Sequence, residues 1–320
     1  MNIDRAKTKS IRAAYGKTLV ELGKEIENIV VLDADLACST QTAMFGKEFP
    51  ERFFNMGIAE QDMMATAAGL ASQDKIPFAS TFAMFATGRT YDQIRNSIAY
   101  PQFNVKIVAT HGGITVGEDG ASHQALEDVA LMRNIPYMTV IVPADCKECE
   151  EVIKYAATHD GPMYIRIART NVPDVFGDDY KFDLKGKILR EGDDVTIVTN
   201  GETLVEVIEC ANILGTQGIE AQIIHLPVVK PFDSDIILEG VKQIGQKPKL
   251  FVTVENHSII GGLGSAVCEV LSENMPAFVY RIGINDEFGQ SGEQRQLMDF
   301  YGLTAEKLAQ KIEKRLKTVK

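Results

Sequence analysis

Short apolar runs recur along this chain, and between most of them lie stretches whose apolar positions return with helical spacing. The runs at 29–32, 77–80, 105–109, 138–142 and 164–167 read as strands. The stretches near 10–25, 61–72, 86–99, 124–133 and 146–158 read as helices. Alternation of this kind predicts a mostly parallel sheet with helices on both faces. The pattern breaks over 171–194, where Pro173, Gly177, Asp178-Asp179, Gly186, Gly192 and Asp193-Asp194 give a linker composition. A second series then starts, with strands at 195–199, 221–225, 250–254 and 278–282 and helices near 203–214, 233–244, 262–273 and 304–316. The expectation is an α/β protein of two domains, 1–170 and 191–320, joined by a linker over 171–190.

Composition narrows the function classes. The 320 residues are 45% hydrophobic and 24% charged, ordinary for a soluble globular protein of about two domains. A net charge of −11 disfavours a nucleic-acid surface but leaves room for a local basic pocket. No apolar run approaches the ~18 residues of a membrane span. Residues 1–5 have no apolar stretch behind them, so the reading is a cytoplasmic protein without a signal peptide or membrane partner. Among five cysteines, Cys146 and Cys149 form a lone C-x-x-C with no second pair and no histidine at zinc spacing, so all five read as reduced thiols.

Three segments carry candidate chemistry. Phe53-Phe54-Asn55-Met56-Gly57-Ile58-Ala59-Glu60-Gln61 reads as a strand, a tight turn and then a helix of small and apolar residues opened by Glu60. A carboxylate in apolar company suits a group that must share a proton, although a first-turn glutamate is also favoured by the helix dipole alone. Ser80-Thr81-Phe82-Ala83-Met84-Phe85 puts two aromatics three apart just after a strand, either as core or as a platform for a flat heterocycle. Thr110-His111-Gly112-Gly113-Ile114-Thr115-Val116-Gly117-Glu118-Asp119-Gly120-Ala121-Ser122-His123-Gln124 follows a strand end, where open parallel sheets place ligands. Its glycines admit close approach, and its histidines and carboxylates can bind hydroxyls and move protons. Two other patterns are rejected. Gly16-Lys17-Thr18 lacks the earlier glycine of a phosphate loop, where Ile11 stands. Gly261-Gly262-Leu263-Gly264 fails the third small position of a dinucleotide fingerprint, and reads as close helix packing with His257 as a candidate interface contact.

Taken in order, the three segments resemble the pyrimidine-binding domain of the transketolase family of thiamine diphosphate enzymes. In that family the glutamate at the Glu60 position hydrogen-bonds the aminopyrimidine ring. It promotes the imino tautomer, whose nitrogen takes the proton from the thiazolium carbon. The resemblance implies that Phe82 and Phe85 line the same pocket, with Gly88 where a third aromatic is often found. It implies that His111 and His123 contact the donor sugar and that Asp119 reads one of its hydroxyls, with Gly112-Gly113 replacing an Asp-Ser. Asp33-Ala34-Asp35-Leu36-Ala37-Cys38-Ser39 resembles S-A-D-L-x-x-S, which places Asp35 in the cofactor region and Ser39 near a substrate phosphate. Arg169 aligns with a phosphate-binding arginine and Arg12 falls at a second by its spacing to Asp35. An arginine fork matches phosphate oxygens.

The resemblance spans this chain but only the C-terminal half of the family. The G-D-G motif and later asparagines that hold the diphosphate and its magnesium are not in the sequence. The implied protein is the C-terminal subunit of a split transketolase, a transferase moving a two-carbon ketol unit between sugar phosphates. It would work with a separate N-terminal subunit that supplies the Mg2+ ligands, two copies of each. A 1-deoxyxylulose-5-phosphate-synthase-like subunit, a 2-oxo acid dehydrogenase E1 β-like subunit and a non-catalytic assembly partner stay open at this point.

Overall fold

Parallel strands are buried on both faces, so they need apolar residues throughout and not an alternation. That is the character of the runs that form the two main sheets. The computed structural model describes residues 3–243 and 250–319. Its strands begin with Thr8–Ser10 (β1), Ile29–Asp33 (β2), Phe53–Asn55 (β3), Ile76–Phe82 (β4), Lys106–Thr110 (β5), Thr139–Ile141 (β6), Met163–Ile167 (β7) and Asn171–Pro173 (β8). Lys187–Arg190 (β9), Val195–Thr199 (β10), Ala221–His225 (β11), Val228–Lys230 (β12), Leu250–Ser258 (β13) and Phe278–Ile284 (β14) follow. The first sheet runs β12-β6-β7-β5-β4-β2-β3 and is parallel except for β12. The second runs β14-β13-β10-β11-β9 and is parallel except for β9. The α/β architecture with mostly parallel sheets is therefore as the alternation predicts.

Helices cover both faces of each sheet. On the first lie Ile11–Glu25 (α1), Ala37–Thr40 (α2), Ala43–Glu48 (α3), Glu60–Ala71 (α4), Ala83–Thr87 (α5), Tyr91–Gln93 (α6), Asp128–Arg133 (α7) and Cys146–Thr158 (α8). With the second go Thr203–Thr216 (α9), Ser234–Gln243 (α10), Leu263–Asn274 (α11), Gln294–Phe300 (α12) and Ala305–Val319 (α13). Two apolar clusters sandwich the first sheet, one around Met63, Ile94 and Met132, the other around Tyr15, Phe45 and Val152. Two more sandwich the second. The helix expected over 233–244 is α10, and position 244 lies outside the described residues.

The structure departs from the expected elements in four places. The stretch expected as linker, 171–190, holds β8, which pairs with β1, and β9, which joins the second sheet. From beyond that stretch, β12 crosses back to pair antiparallel with β6 and extend the first sheet. The helix expected over 86–99 is broken at Gly88-Arg89-Thr90, between α5 and α6. The helix expected over 124–133 starts only at Asp128. Gln124 is held outside it because its side-chain amide donates to the carbonyls of Ile114, Gly117 and Gln290. Among the described residues, no helix is long and apolar enough to cross a membrane.

Candidate active site

Neighbouring strands β7, β5, β4 and β2 run parallel, and Arg169, His111, Phe82, Phe85, Asp35 and Ser39 sit on or shortly after their ends, while Glu60 follows the adjacent β3 and Arg12 lies on α1. Open parallel sheets expose unpaired loops there, which is where they bind ligands. Glu60 opens α4 and is 4% exposed. Its carboxylate accepts from Arg89 Nη1 at 2.8 Å. The sequence reading gave Glu60 only apolar company. The structure adds this cation, from the break between α5 and α6. The same guanidinium lies 4.2 Å from the centroid of Phe85, so it ties the buried carboxylate to an aromatic face.

Phe82 and Phe85 are nearly parallel, 14° apart with centroids 6.0 Å from each other. His111 stacks on Phe82 at 3.8 Å, and His123 meets Phe85 edge-on at 5.3 Å. Phe82 is buried and Phe85 half-buried, and both rings meet the histidines. His111 is buried, has a φ of 61° and hydrogen-bonds Thr110 Oγ1 through Nδ1 at 2.8 Å. Burial, and then the charges of Arg12 and Arg169 and the nearby His123, push its pKa down to about 3. It is neutral at any physiological pH. His123 is half-buried and hydrogen-bonded to Ser122 at 2.9 Å.

A cleft of about 630 Å³ is lined in part by Arg12, Glu118, Arg169, Thr170 and Arg295, and the charges of Arg12 and Arg169 reach His111. Arg12 reaches from α1 to the Ser39 carbonyl at 2.7 Å, which brings those two expected partners together. Burial and the charge of Arg169 lower its pKa, though it stays a cation. Arg169 donates to the Val116 carbonyl and so holds the histidine loop from below. Asp35 is exposed, with a φ of 62°, and accepts from Asn55 at 3.2 Å. Asp119 is exposed on the loop between the two histidines. The contacts thus gather Glu60, Phe82, Phe85, His111 and His123 into one cluster and put Arg12 and Arg169 at the cleft, with the Ser39 backbone bonded to Arg12. Asp35 and Asp119 stand at the rim.

Sequence reasoning missed Arg89 and Asp33. Asp33 ends β2, is buried, and accepts from Leu36 N, Thr40 Oγ1 and Thr42 Oγ1 at 2.6, 2.7 and 2.8 Å. Burial raises its pKa, opposed by those three donors. It pins the turn that carries Asp35 and Ser39. The available signal was an aspartate closing the apolar run at 29–32, two residues before Asp35. Glu255 accepts from Leu263 N and Gly264 N at 2.7 and 2.8 Å, so the helix start at Gly262 is already capped by the protein. His257, on β13, accepts from Ala130 N of α7 at 3.4 Å. All five cysteines are free, and burial pushes the Cys146 thiol up to about 12. Among the described residues, no three His, Cys, Asp or Glu side chains meet to hold a metal ion.

The transketolase pyrimidine-binding domain family matches residues 7–175, and the transketolase C-terminal domain family matches residues 184–308. The chain belongs to the transketolase family. A provisional transketolase C-terminal section from Methanocaldococcus jannaschii is 52% identical over 97% of each chain. A 6-deoxy-6-sulfo-D-fructose transketolase subunit from Clostridium sp. is 40% identical over 93% of this chain and 92% of that one. Among solved structures, a split-gene transketolase in an inactive beta4 tetramer is 51% identical, with a TM-score of 0.89, over 97% of this chain and 99% of that one. By contrast, a transketolase from Pichia stipitis, 24% identical with a TM-score of 0.80, is covered over only 48% of its length and shares the fold. This transketolase-family chain thus covers more than nine-tenths of the length of the first three of these relatives.

Proposed function

We propose that this chain is the C-terminal subunit of a two-chain, thiamine-diphosphate-dependent transketolase that moves a two-carbon ketol unit from a ketose phosphate to an aldose phosphate. The observation that carries this reading is the meeting of a buried glutamate, two parallel aromatics, two histidines and two arginines at the strand ends of one parallel sheet. The inactive beta4 state of the split-gene relative supports a chain that self-associates but needs a partner for turnover.

The residues fit the cofactor's aminopyrimidine end. Phe82 and Phe85 offer flat apolar faces, and Glu60 is a buried carboxylate beside them, linked to Phe85 through Arg89. Thiamine diphosphate, when bound, supplies the carbon nucleophile and the electron sink that cleave the bond beside a ketose carbonyl. Glu60 would hydrogen-bond a ring nitrogen of the cofactor through its carboxylate, held in place by Arg89. Asp35 borders the cofactor region. His111, neutral because it is buried near cations, has Nδ1 engaged by Thr110 and offers Nε2 as a single donor or acceptor to a sugar hydroxyl. His123 and Asp119 contact the sugar from the rim. Arg12 and Arg169, with Ser39, bind the phosphate end as cations in a cleft. The magnesium and diphosphate ligands belong to a partner subunit with a Gly-Asp-Gly motif. Two copies of each subunit, working in the cytoplasm, complete the proposed enzyme.

Glu60→Ala tests the reading. Turnover of the assembled enzyme should fall by at least ~10²-fold, the usual scale for losing a general acid–base group. The circular dichroism of the chain should be unchanged. Retained turnover would sink the proposed role of Glu60.

A further inference from the structure

The histidine loop meets the second sheet through buried polar side chains. Asn256, near the end of β13, accepts from the Ile114 backbone N–H through Oδ1 at 2.9 Å. Its Nδ2 donates to Glu202 Oε1 at 2.5 Å and to Thr115 Oγ1 at 3.3 Å. Thr115 donates in turn to the same Glu202 oxygen at 3.1 Å. From the first sheet, Arg166 Nη2 donates to the Asn256 carbonyl at 2.8 Å and to the Ala125 carbonyl at 3.3 Å. Its Nε pairs with Asp128 at 2.8 Å, and Tyr164 donates to the same Asp128 oxygen at 2.7 Å. Asn256, Glu202, Thr115, Arg166 and Asp128 are all buried. Buried polar groups joined in this way fix one geometry, because any slippage leaves a donor or acceptor without a partner.

The same two side chains account for Gly112 and Gly113. A Cβ at Gly112 would sit 2.7 Å from Arg166 Cζ. A Cβ at Gly113 would run into the Asn256 amide. Gly113 also has a φ of 73°, which strains an L side chain whatever the space. The two loop positions without side chains are therefore where an arginine of one sheet and an asparagine of the other enter.

We propose that Asn256 and Arg166 are positioning residues for the donor-sugar loop, taking the place of the polar pair that the resembled family pattern carries at 112 and 113. Loop geometry at His111 and His123 is then set in part from the second sheet, through Asn256 and Glu202, beside the bonds that Thr115 and Gln124 of the loop make. Donor recognition in this chain depends on the contact between its two sheets. The proposal rests on the transketolase reading for its consequence in turnover, and on the packing alone for its structural half.

Two measurements separate these halves. In the assembled enzyme, Asn256→Ala is expected to raise the KM for the ketose phosphate about ten-fold, while kcat changes less than about three-fold. Thiamine diphosphate affinity, read by calorimetry, should also change less than about three-fold, because the variant leaves Glu60, Phe82 and Phe85 in place. A KM that does not move, or a cofactor affinity that falls as much as the KM rises, overturns the positioning role. The second measurement uses the chain alone, in a cycle of Gly113→Ala with and without Asn256→Ala. The φ strain is common to both backgrounds and cancels. Gly113→Ala should lower the urea midpoint at least about twice as far with Asn256 present as without it. Equal losses overturn the packing argument. Asn256→Ser, which keeps a hydroxyl and removes the amide that fills the space, is the second variant if Asn256→Ala does not fold. An assembly of wild-type chains with no ketol transfer removes the functional reading and the KM arm with it. The urea cycle still decides whether Asn256 occupies the space at Gly113.

Discussion

Lowering the pH should destabilise this chain through His111, and the size of the effect follows from its surroundings. Its pKa falls from the ordinary 6.5 to about 3, first because of burial and then because of Arg12, Arg169 and His123. Between those values the unfolded chain binds a proton that the folded chain refuses. Stability therefore rises with pH across that window and is lost as the pH drops from about 7 toward 3. At pH 5 the unfolded imidazole is about 1.5 units below its pKa, which gives a loss of about 2 kcal/mol relative to pH 8. His111→Asn removes the titration and suits the site, because asparagine tolerates the left-handed conformation better than most residues. It also gives up stacking on Phe82, worth about 0.5–1.5 kcal/mol, but that term does not depend on pH. Asp33 and Asp145, both raised by burial, titrate in the two proteins alike. Urea denaturation at pH 8, 6.5 and 5 is the assay, on the isolated chain. The wild type should lose about 2 kcal/mol more than His111→Asn between pH 8 and pH 5. Parallel curves would refute the argument, since they would mean that His111 keeps an ordinary proton affinity when folded.

Two further outcomes follow from the cleft and the buried network. Arg169→Ala should raise the KM for phosphorylated sugars by about ten-fold or more, and leave unphosphorylated analogues almost unaffected, because a charge-assisted phosphate contact contributes about 1.5–3 kcal/mol. Steady-state kinetics on paired substrates check it. Arg166→Met should destabilise the chain by about 3–5 kcal/mol in urea denaturation, because Asp128 is fully buried and would lose its cation.

Local pattern made much of this legible in the sequence. The strand runs are apolar because both faces are covered, and Glu60 could be placed at a helix start from the nine residues around it. Phe82, Phe85, His111 and His123 follow strand ends, so the sheet brought them together as its topology requires. What sequence pattern did not disclose depends on distant partners. Arg89 reads as one more polar residue in a helical stretch until the helix breaks at Gly88 and sends it to Glu60. Asn256 and Arg166 lie 142 and 52 residues from the Ile114 and Ile114-adjacent loop they hold, and no local periodicity encodes such contacts. The strands β1, β8, β9 and β12 have only three or four residues each, too short to show a period. Gly112 and Gly113 looked like lost sugar contacts, and only packing showed what fills their place.

The central claim is that this chain forms a working site only with a diphosphate-binding partner. The direct test is to capture the tagged chain from its own cells with thiamine diphosphate and magnesium present, identify what comes with it, and assay ketol transfer by each chain and by the pair. The account predicts a partner of about 270–300 residues bearing Gly-Asp-Gly, a size set by the missing half of the family fold, and turnover only from the pair. Turnover by this chain alone, or a captured pair that transfers no ketol unit, would contradict it.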